Sequence, residues 1–173
     1  MKKTEKQQKQ IHEVLDKITH LTRHISNVES NCLLLGTKLI ENGDIDLGHK
    51  LIANGYAHDI SKFNGIEFEF MTIGMPSKEE SAKLKLKMAI QHHQKTNSHH
   101  PEFWSNIKLM PKVYLCEFVC DIKARSEEFG TDLRQWIDEN ATKRYDFTKD
   151  DAVYKEIMEF VDILCPKPFE NIS

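Results

Sequence analysis

Apolar residues recur at steps of three and four along most of this chain, and no stretch sustains a step of two. From about Lys6 to Ile40 the positions Ile11, Val14, Leu15, Ile18, Leu21, Ile25, Val28, Cys32, Leu35 and Leu39 keep that spacing. It predicts one long amphipathic helix, with Asn42-Gly43 as its C-terminal stop. A second helix is expected from a cap at Asp44 or Asp46 through Leu47, Leu51 and Ala57 to His58-Asp59. Gly55 inside it costs about 1 kcal/mol relative to Ala, which suits a close helix approach. Ser61 and Asn64-Gly65 signal a turn, and residues 66–71 read as a short helix or irregular cover. A third helix starts at Pro76-Ser77-Lys78-Glu79-Glu80, where Ser77 and Glu80 have capping-box spacing. It buries Ala82, Leu86, Ala89, Ile90 and His93 and breaks at Asn97-Ser98. Pro101 opens a short helix, and a long one spans Pro111 to Gly130 with Val113, Leu115, Phe118, Val119 and Ile122 inside. Thr131 or Asp132 caps the next, with Leu133, Trp136 and Ile137. Thr148 caps the last, with Val153, Ile157, Phe160, Val161 and Leu164, stopped by Pro166 and Pro168. The expected fold class is all-α: one helical bundle over 1–173, its core at about 11–164 and flexible tails at 1–5 and 166–173.

Composition narrows the class. At 173 residues, one domain buries about 70% of its unfolded surface and needs no disulfide or metal merely to form a core. The 24 basic and 27 acidic residues leave a formal charge of -3, which gives no strong nucleic-acid signal. The basic start is followed by no apolar signal segment, and no apolar run approaches the ~20 residues that span a bilayer. Cys32, Cys116, Cys120 and Cys165 form no CxxC pair. They read as reduced thiols in a cytoplasmic protein.

Nine histidines are the unusual feature, four of them within residues 92–100. On the first helix, about 100° per residue puts His24 at the edge of the apolar stripe and turns His12 and His20 away. His58-Asp59 places an imidazole beside a carboxylate at a helix end, with Lys62 three residues on to hold an anion. His93 lies seven residues after Leu86 on the buried face, ahead of His92; His99 and His100 follow the turn at Asn97. Asp121 has Arg125 at i+4, a salt bridge worth about 0.3–0.5 kcal/mol, and Glu117 at i-4, a repulsion that a cation would ease. Consecutive helices can bring such residues together in a bundle core. An imidazole and carboxylate set suits Mn, Fe, Co, Ni or Zn better than calcium.

The order His24, His58-Asp59, Asp121 resembles the HD-domain superfamily of metal-dependent phosphohydrolases, whose helical bundle carries a His, a His-Asp pair and a distant Asp. Ile60-Ser61-Lys62 also looks like the continuation found in many members. The resemblance implies that Lys62 binds phosphate. It also implies, through His93 and His99-His100, a second metal bridged by Asp59. More narrowly, the chain is similar to a family of bacterial and phage proteins of unknown function. That likeness rests on His-Asp-Ile-Ser-Lys-Phe at 58–63, His93-x3-Asn97-x-His99-His100-Pro101-Glu102-x-Trp104, and Cys120-Asp121-x2-Ala124-Arg125-Ser126 with Phe129-Gly130.

The resemblance implies hydrolysis of a nucleotide or other small phosphate ester by a metal-activated water. One or two divalent cations would sit among His24, His58, Asp59, His93, His99, His100 and Asp121. Asp59 and Lys62 would take part in catalysis, and Lys62, Asn97 and Arg125 would contact substrate. Two alternatives share the scaffold: a diiron oxygenase, and a non-catalytic metal-binding helical protein. The spacing leaves open which of His92, His93, His99 and His100 ligate, and whether the chain forms a homo-oligomer.

Overall fold

The computed structural model describes residues 2–74 and 77–166. They are helical, with no strand among them. Helix α1 (Lys2–Glu41) runs 40 residues, so the residues 2–5 expected as a tail belong to it. Helix α2 (Ile45–Ala57) begins after Asp44, which is its N-cap, with Asp46 in its first turn. The three-residue link makes α1 and α2 antiparallel, and glycine sets their separation. A Cβ on Gly48 would stand 2.5 Å from the Gly36 carbonyl oxygen, and one on Gly55 would stand 2.6 Å from the Cys32 Cβ. The propensity lost at Gly55 is thus exchanged for close backbone contact.

A 3-10 turn (Ile60–Phe63) follows, then α3 (Gly65–Glu67), which continues into a π turn (Phe68–Thr72). Helix α4 (Glu80–Thr96) starts two residues later than its capping box suggests: Ser77 Oγ accepts from the Glu79 N–H at 3.1 Å and closes a turn ahead of the helix. Pro76 lies outside the described residues. Single 3-10 turns at Pro101–Phe103 and Ile107–Leu109 lead to α5 (Lys112–Phe129), which Gly130 ends in the left-handed region at φ 65°. Asp132 caps α6 (Leu133–Trp136), accepting from the Gln135 N–H. A π turn (Ile137–Ala141) joins α6 to α7 (Thr142–Arg144). Asp151, rather than Thr148, precedes α8 (Ala152–Leu164); its carboxylate accepts from the Thr148 N–H at 2.7 Å and hydroxyl at 3.1 Å. The tail expected at 166–173, Pro166 apart, lies outside the described residues, as does Pro168.

Helix α5 is the central element, packed against α1, α2 and α8. Val28, Cys32, Leu35, Leu51, Leu115, Val119, Ile157, Phe160 and Val161 fill the space between them. Two expected stretches of core are exposed. Ile11 and Leu15 are 58% and 54% accessible, because a 40-residue helix is about 60 Å long and outruns every partner. On α4 only Ala89 and His93 are buried, while Leu86 and Ile90 face outward. That helix is held to the body through its histidine end.

Candidate metal centre

Each helix contributes its donor for a local reason. His24 continues the inward face of α1 between Leu21 and Val28 and is buried. Asn31, two turns on, ties that face to α5 by donating to the Cys120 carbonyl at 3.3 Å. The His58-Asp59 pair ends α2 with Asp59 in the left-handed region at φ 56°, ψ 14°. A non-glycine residue held there stores strain, and the turn points its carboxylate inward. Asp59 is 2% accessible. His93 sits on the last turn of α4, and the turn at Asn97 returns His99 and His100 to the same interior. Asp121 faces them from the middle of α5.

These side chains form two sets with Asp59 between them. Asp59 Oδ1 lies 3.1 Å from His93 Nε2 and 3.6 Å from His99 Nε2, and His100 belongs to the same set. Asp59 Oδ2 lies 3.8 Å from His24 Nε2 and 3.6 Å from His58 Nε2. His24 Nε2 is in turn 3.1 Å from Asp121 Oδ1. Bonds of about 2.0–2.2 Å to one cation put neighbouring donors about 3.0–3.6 Å apart and opposed ones about 4.2 Å apart. The spacings suit two cations sharing the Asp59 carboxylate. The Nε2 atoms of His24, His58, His93, His99 and His100, with Asp59 Oδ1 and Asp121 Oδ1, are buried without a hydrogen-bond partner. Orphaned buried polar atoms are uncommon, and these seven, aimed at one interior, include donor groups that could hold a metal ion.

The opposite ring nitrogens are satisfied by three glutamates. His24 Nδ1 donates to Glu128 at 2.8 Å, His58 Nδ1 to Glu117 at 3.0 Å, and His93 Nδ1 to Glu67 at 2.8 Å. Glu117 also stands 3.4 Å from His99 Nδ1 and accepts from Asn54 at 3.0 Å. A carboxylate on Nδ1 fixes the tautomer that leaves Nε2 free and makes it more basic. Glu117, His58 and His99 have ligand-like spacing among themselves as well, but at Nδ1 the contact to His58 is a hydrogen bond. The repulsion expected between Glu117 and Asp121 is therefore absorbed: Glu117 turns to the far side of the imidazoles. Glu67 and Glu128 had no distinguishing mark in the sequence, since each stands beside a second glutamate, Glu69 and Glu127, that spacing alone does not tell apart from it.

Charge follows this arrangement. Burial works against a charged His58, but Asp59, Glu117 and Asp121 outweigh it and raise its pKa. Burial and His58 push His99 down to about 4, and burial with His99 and His93 pushes His100 down to about 3, so both rings are neutral at pH 7, the form that can ligate a metal. Burial alone would raise Asp59, yet His58, His93 and Lys62 hold it well below the usual carboxylate range. Asp121 is likewise held low against its burial by His24 and His58.

Lys62 donates to Asp59 Oδ2 at 2.5 Å and lines two cavities that meet the centre, one beside His24 and one beside His93, His100 and Asp121. Arg125 lines both as well, but its ion pair is to Glu128 at 3.1 Å rather than to Asp121. Asn97 lines neither of those cavities but a third, smaller one with His58, Asp59 and His99, and its amide donates to the His93 carbonyl at 2.9 Å and to Ser61 Oγ at 3.2 Å. His92 donates to Glu67 at 2.7 Å with a half-exposed ring and joins neither set. His99 and His100 both do.

The chain belongs to a family of unknown function, DUF5662, whose model matches residues 13–165. No curated protein and no solved structure matches it. Among the described residues no helix is long and apolar enough to cross a membrane.

Proposed function

We propose that this chain is a metal-dependent phosphohydrolase of the HD-domain kind, acting on a nucleotide or other small phosphate ester. The observation that carries the reading is the set of unpartnered donors divided by the two oxygens of Asp59, with Lys62 and Arg125 on the adjoining cavities. The order of His24, His58-Asp59 and Asp121 along the chain, and their convergence, support the resemblance to that superfamily. Bound divalent cations would supply a hydroxide at neutral pH and neutralise phosphoryl oxygens. His24, His58, Asp121 and Asp59 Oδ2 would hold one; His93, His99, His100 and Asp59 Oδ1 would hold the other. Lys62 would leave Asp59 when that oxygen ligates and would then be free to meet the phosphoryl group, while Arg125, paired with Glu128, lines the same cavities. Glu128, Glu117 and Glu67 keep the imidazoles oriented throughout.

The test is a screen of wild type and Asp59→Ala against nucleoside mono-, di-, tri- and cyclic phosphates with Mn, Co or Ni, alongside elemental analysis. Metal-dependent phosphate release by wild type alone is expected. Metal-loaded protein that releases no phosphate from any of them refutes the hydrolase. An iron-loaded form that consumes oxygen with a substrate would establish the oxygenase instead.

A further inference from the structure

The larger opening onto the centre is a cavity of about 470 Å³ reached by His93, His100 and Asp121. Lys62 and Arg125 line it, and four aromatic side chains share the remaining wall with Met71, Ile90 and Ile122 and with Gln94, Ser126 and Thr131. Phe118 lies one turn before Asp121, and Phe129 closes α5. Trp136 comes from α6, and Tyr145 from the end of α7. The Phe118 and Tyr145 rings meet edge to face at 5.7 Å. The Arg144 guanidinium lies 5.1 Å from the Tyr145 ring centre while bonded to Glu102 at 2.7 Å, which stiffens that wall. Phe129 is 69% accessible, and Trp136 and Tyr145 pack against the core but are only half-buried, so part of each ring stays open. Aromatic faces beside a charged reaction centre bind planar rings by stacking.

The cations in this cavity are all committed. Lys62 is paired with Asp59, Arg125 with Glu128 and Arg144 with Glu102. Metal binding at Asp59 frees Lys62 alone, enough for one phosphoryl group and not for a chain of them. From this, and resting on the phosphohydrolase reading above, we propose that the cavity is a leaving-group site for a planar ring carried by a phosphomonoester, with Trp136 selecting the ring. Water adds to phosphorus, the ester P–O bond breaks, and the departing oxygen takes a proton. Inorganic phosphate and a ring-bearing alcohol are the products.

Two measurements test this on the metal-loaded protein. In the first, the non-hydrolysable phosphonate analogue of adenosine monophosphate is titrated while tryptophan fluorescence is followed. Trp136 should be quenched, and Trp136→Phe should lose the quench; Trp104 is the background, its indole held on the Ser98 carbonyl. In the second, KM and kcat are compared for adenosine monophosphate, an aryl phosphate, glycerol phosphate and adenosine triphosphate. Trp136→Ala should raise KM for the ring-bearing monoesters about 5- to 150-fold, as loss of base stacking does, with glycerol phosphate unchanged and Trp136→Phe restoring most of the loss. The better of adenosine monophosphate and the aryl ester tells whether the ring is a nucleobase or is bonded directly to the ester oxygen. Equal effects on glycerol phosphate, or a higher kcat/KM for the triphosphate, overturn the assignment and leave the hydrolase standing. Quenching that depends on Trp136 without hydrolysis of any ester would do the reverse.

Discussion

Glu117→Gln is the most informative single substitution, because this glutamate reaches both sets of donors from behind. Its Oε1 accepts from His58 Nδ1 at 3.0 Å and stands 3.4 Å from His99 Nδ1; its Oε2 accepts from Asn54. Glutamine keeps the shape and one acceptor, but loses the charge and presents an NH2 where a donor must be met. Losing such a contact behind a ligating histidine weakens metal binding about 10–100-fold, or about 1.4–2.7 kcal/mol. Because His58 and His99 belong to different sets, both cations should be affected. Glu128→Gln should weaken only the cation at His24, and Glu67→Gln only the one at His93.

The sign needs one correction for protons. Glu117 helps raise the His58 pKa, so glutamine lowers it and relieves proton competition, which partly offsets the loss near neutrality. Cobalt titrations, followed by calorimetry and absorption, therefore belong well above the histidine range, where His58 is neutral in both proteins. Exposed Glu159→Gln on α8 is the control. Two unchanged cobalt affinities in Glu117→Gln, with the metal-free protein folded as wild type, would refute the idea that glutamate orientation creates these sites.

Three further outcomes follow from the same geometry. Stripping metal with a chelator should lower Tm by roughly 5–11 °C if free metal had been near 100 Kd, from about 2.7 kcal/mol of linkage and 2–4 °C per kcal/mol; an unchanged calorimetric Tm contradicts the site. Cobalt binding at the His24/His58/Asp121 set should release a proton and weaken as pH falls through the raised His58 pKa. His99 and His100 stay neutral until pH approaches about 4, so protons should compete less for the cation beside them than for the one at His58. Calorimetry in buffers of different ionisation enthalpy, repeated across pH, reads both effects. Gly48→Ala should destabilise the fold by about 1–3 kcal/mol in urea melts, since its Cβ meets the Gly36 backbone oxygen at 2.5 Å, an atom that cannot swing aside.

The sequence made the helices legible where periodicity and punctuation agreed, as at Asn42-Gly43, Asn97 and Gly130. It misled where one residue had to represent a three-dimensional boundary. Ile11 and Leu15 carry the same spacing as Leu35, but spacing does not say how long the neighbouring helices are. Thr148 resembles a cap, yet the Asp151 carboxylate captures its N–H. The site shows the same division. The angular position of His24 was readable from its own helix, because burial of one face is a local property.

The three glutamates were unreadable for a different reason: what distinguishes each is a partner far along the chain. Glu128 meets His24 across 104 positions and Glu117 meets His58 across 59. Glu117 was visible only as a like charge one turn from Asp121, and that local pairing carried the wrong sign. Carboxylates this close would repel, but the two meet opposite nitrogens of one imidazole: Glu117 lies 3.0 Å from Nδ1 of His58 and Asp121 4.0 Å from its Nε2. The ring separates the charges and gives each a different place: Asp121 lies among the donors that could hold a metal ion, and Glu117 aims the ring. A carboxylate that looks destabilising at i-4 can therefore mark the back of a metal site when a histidine from another helix fits between.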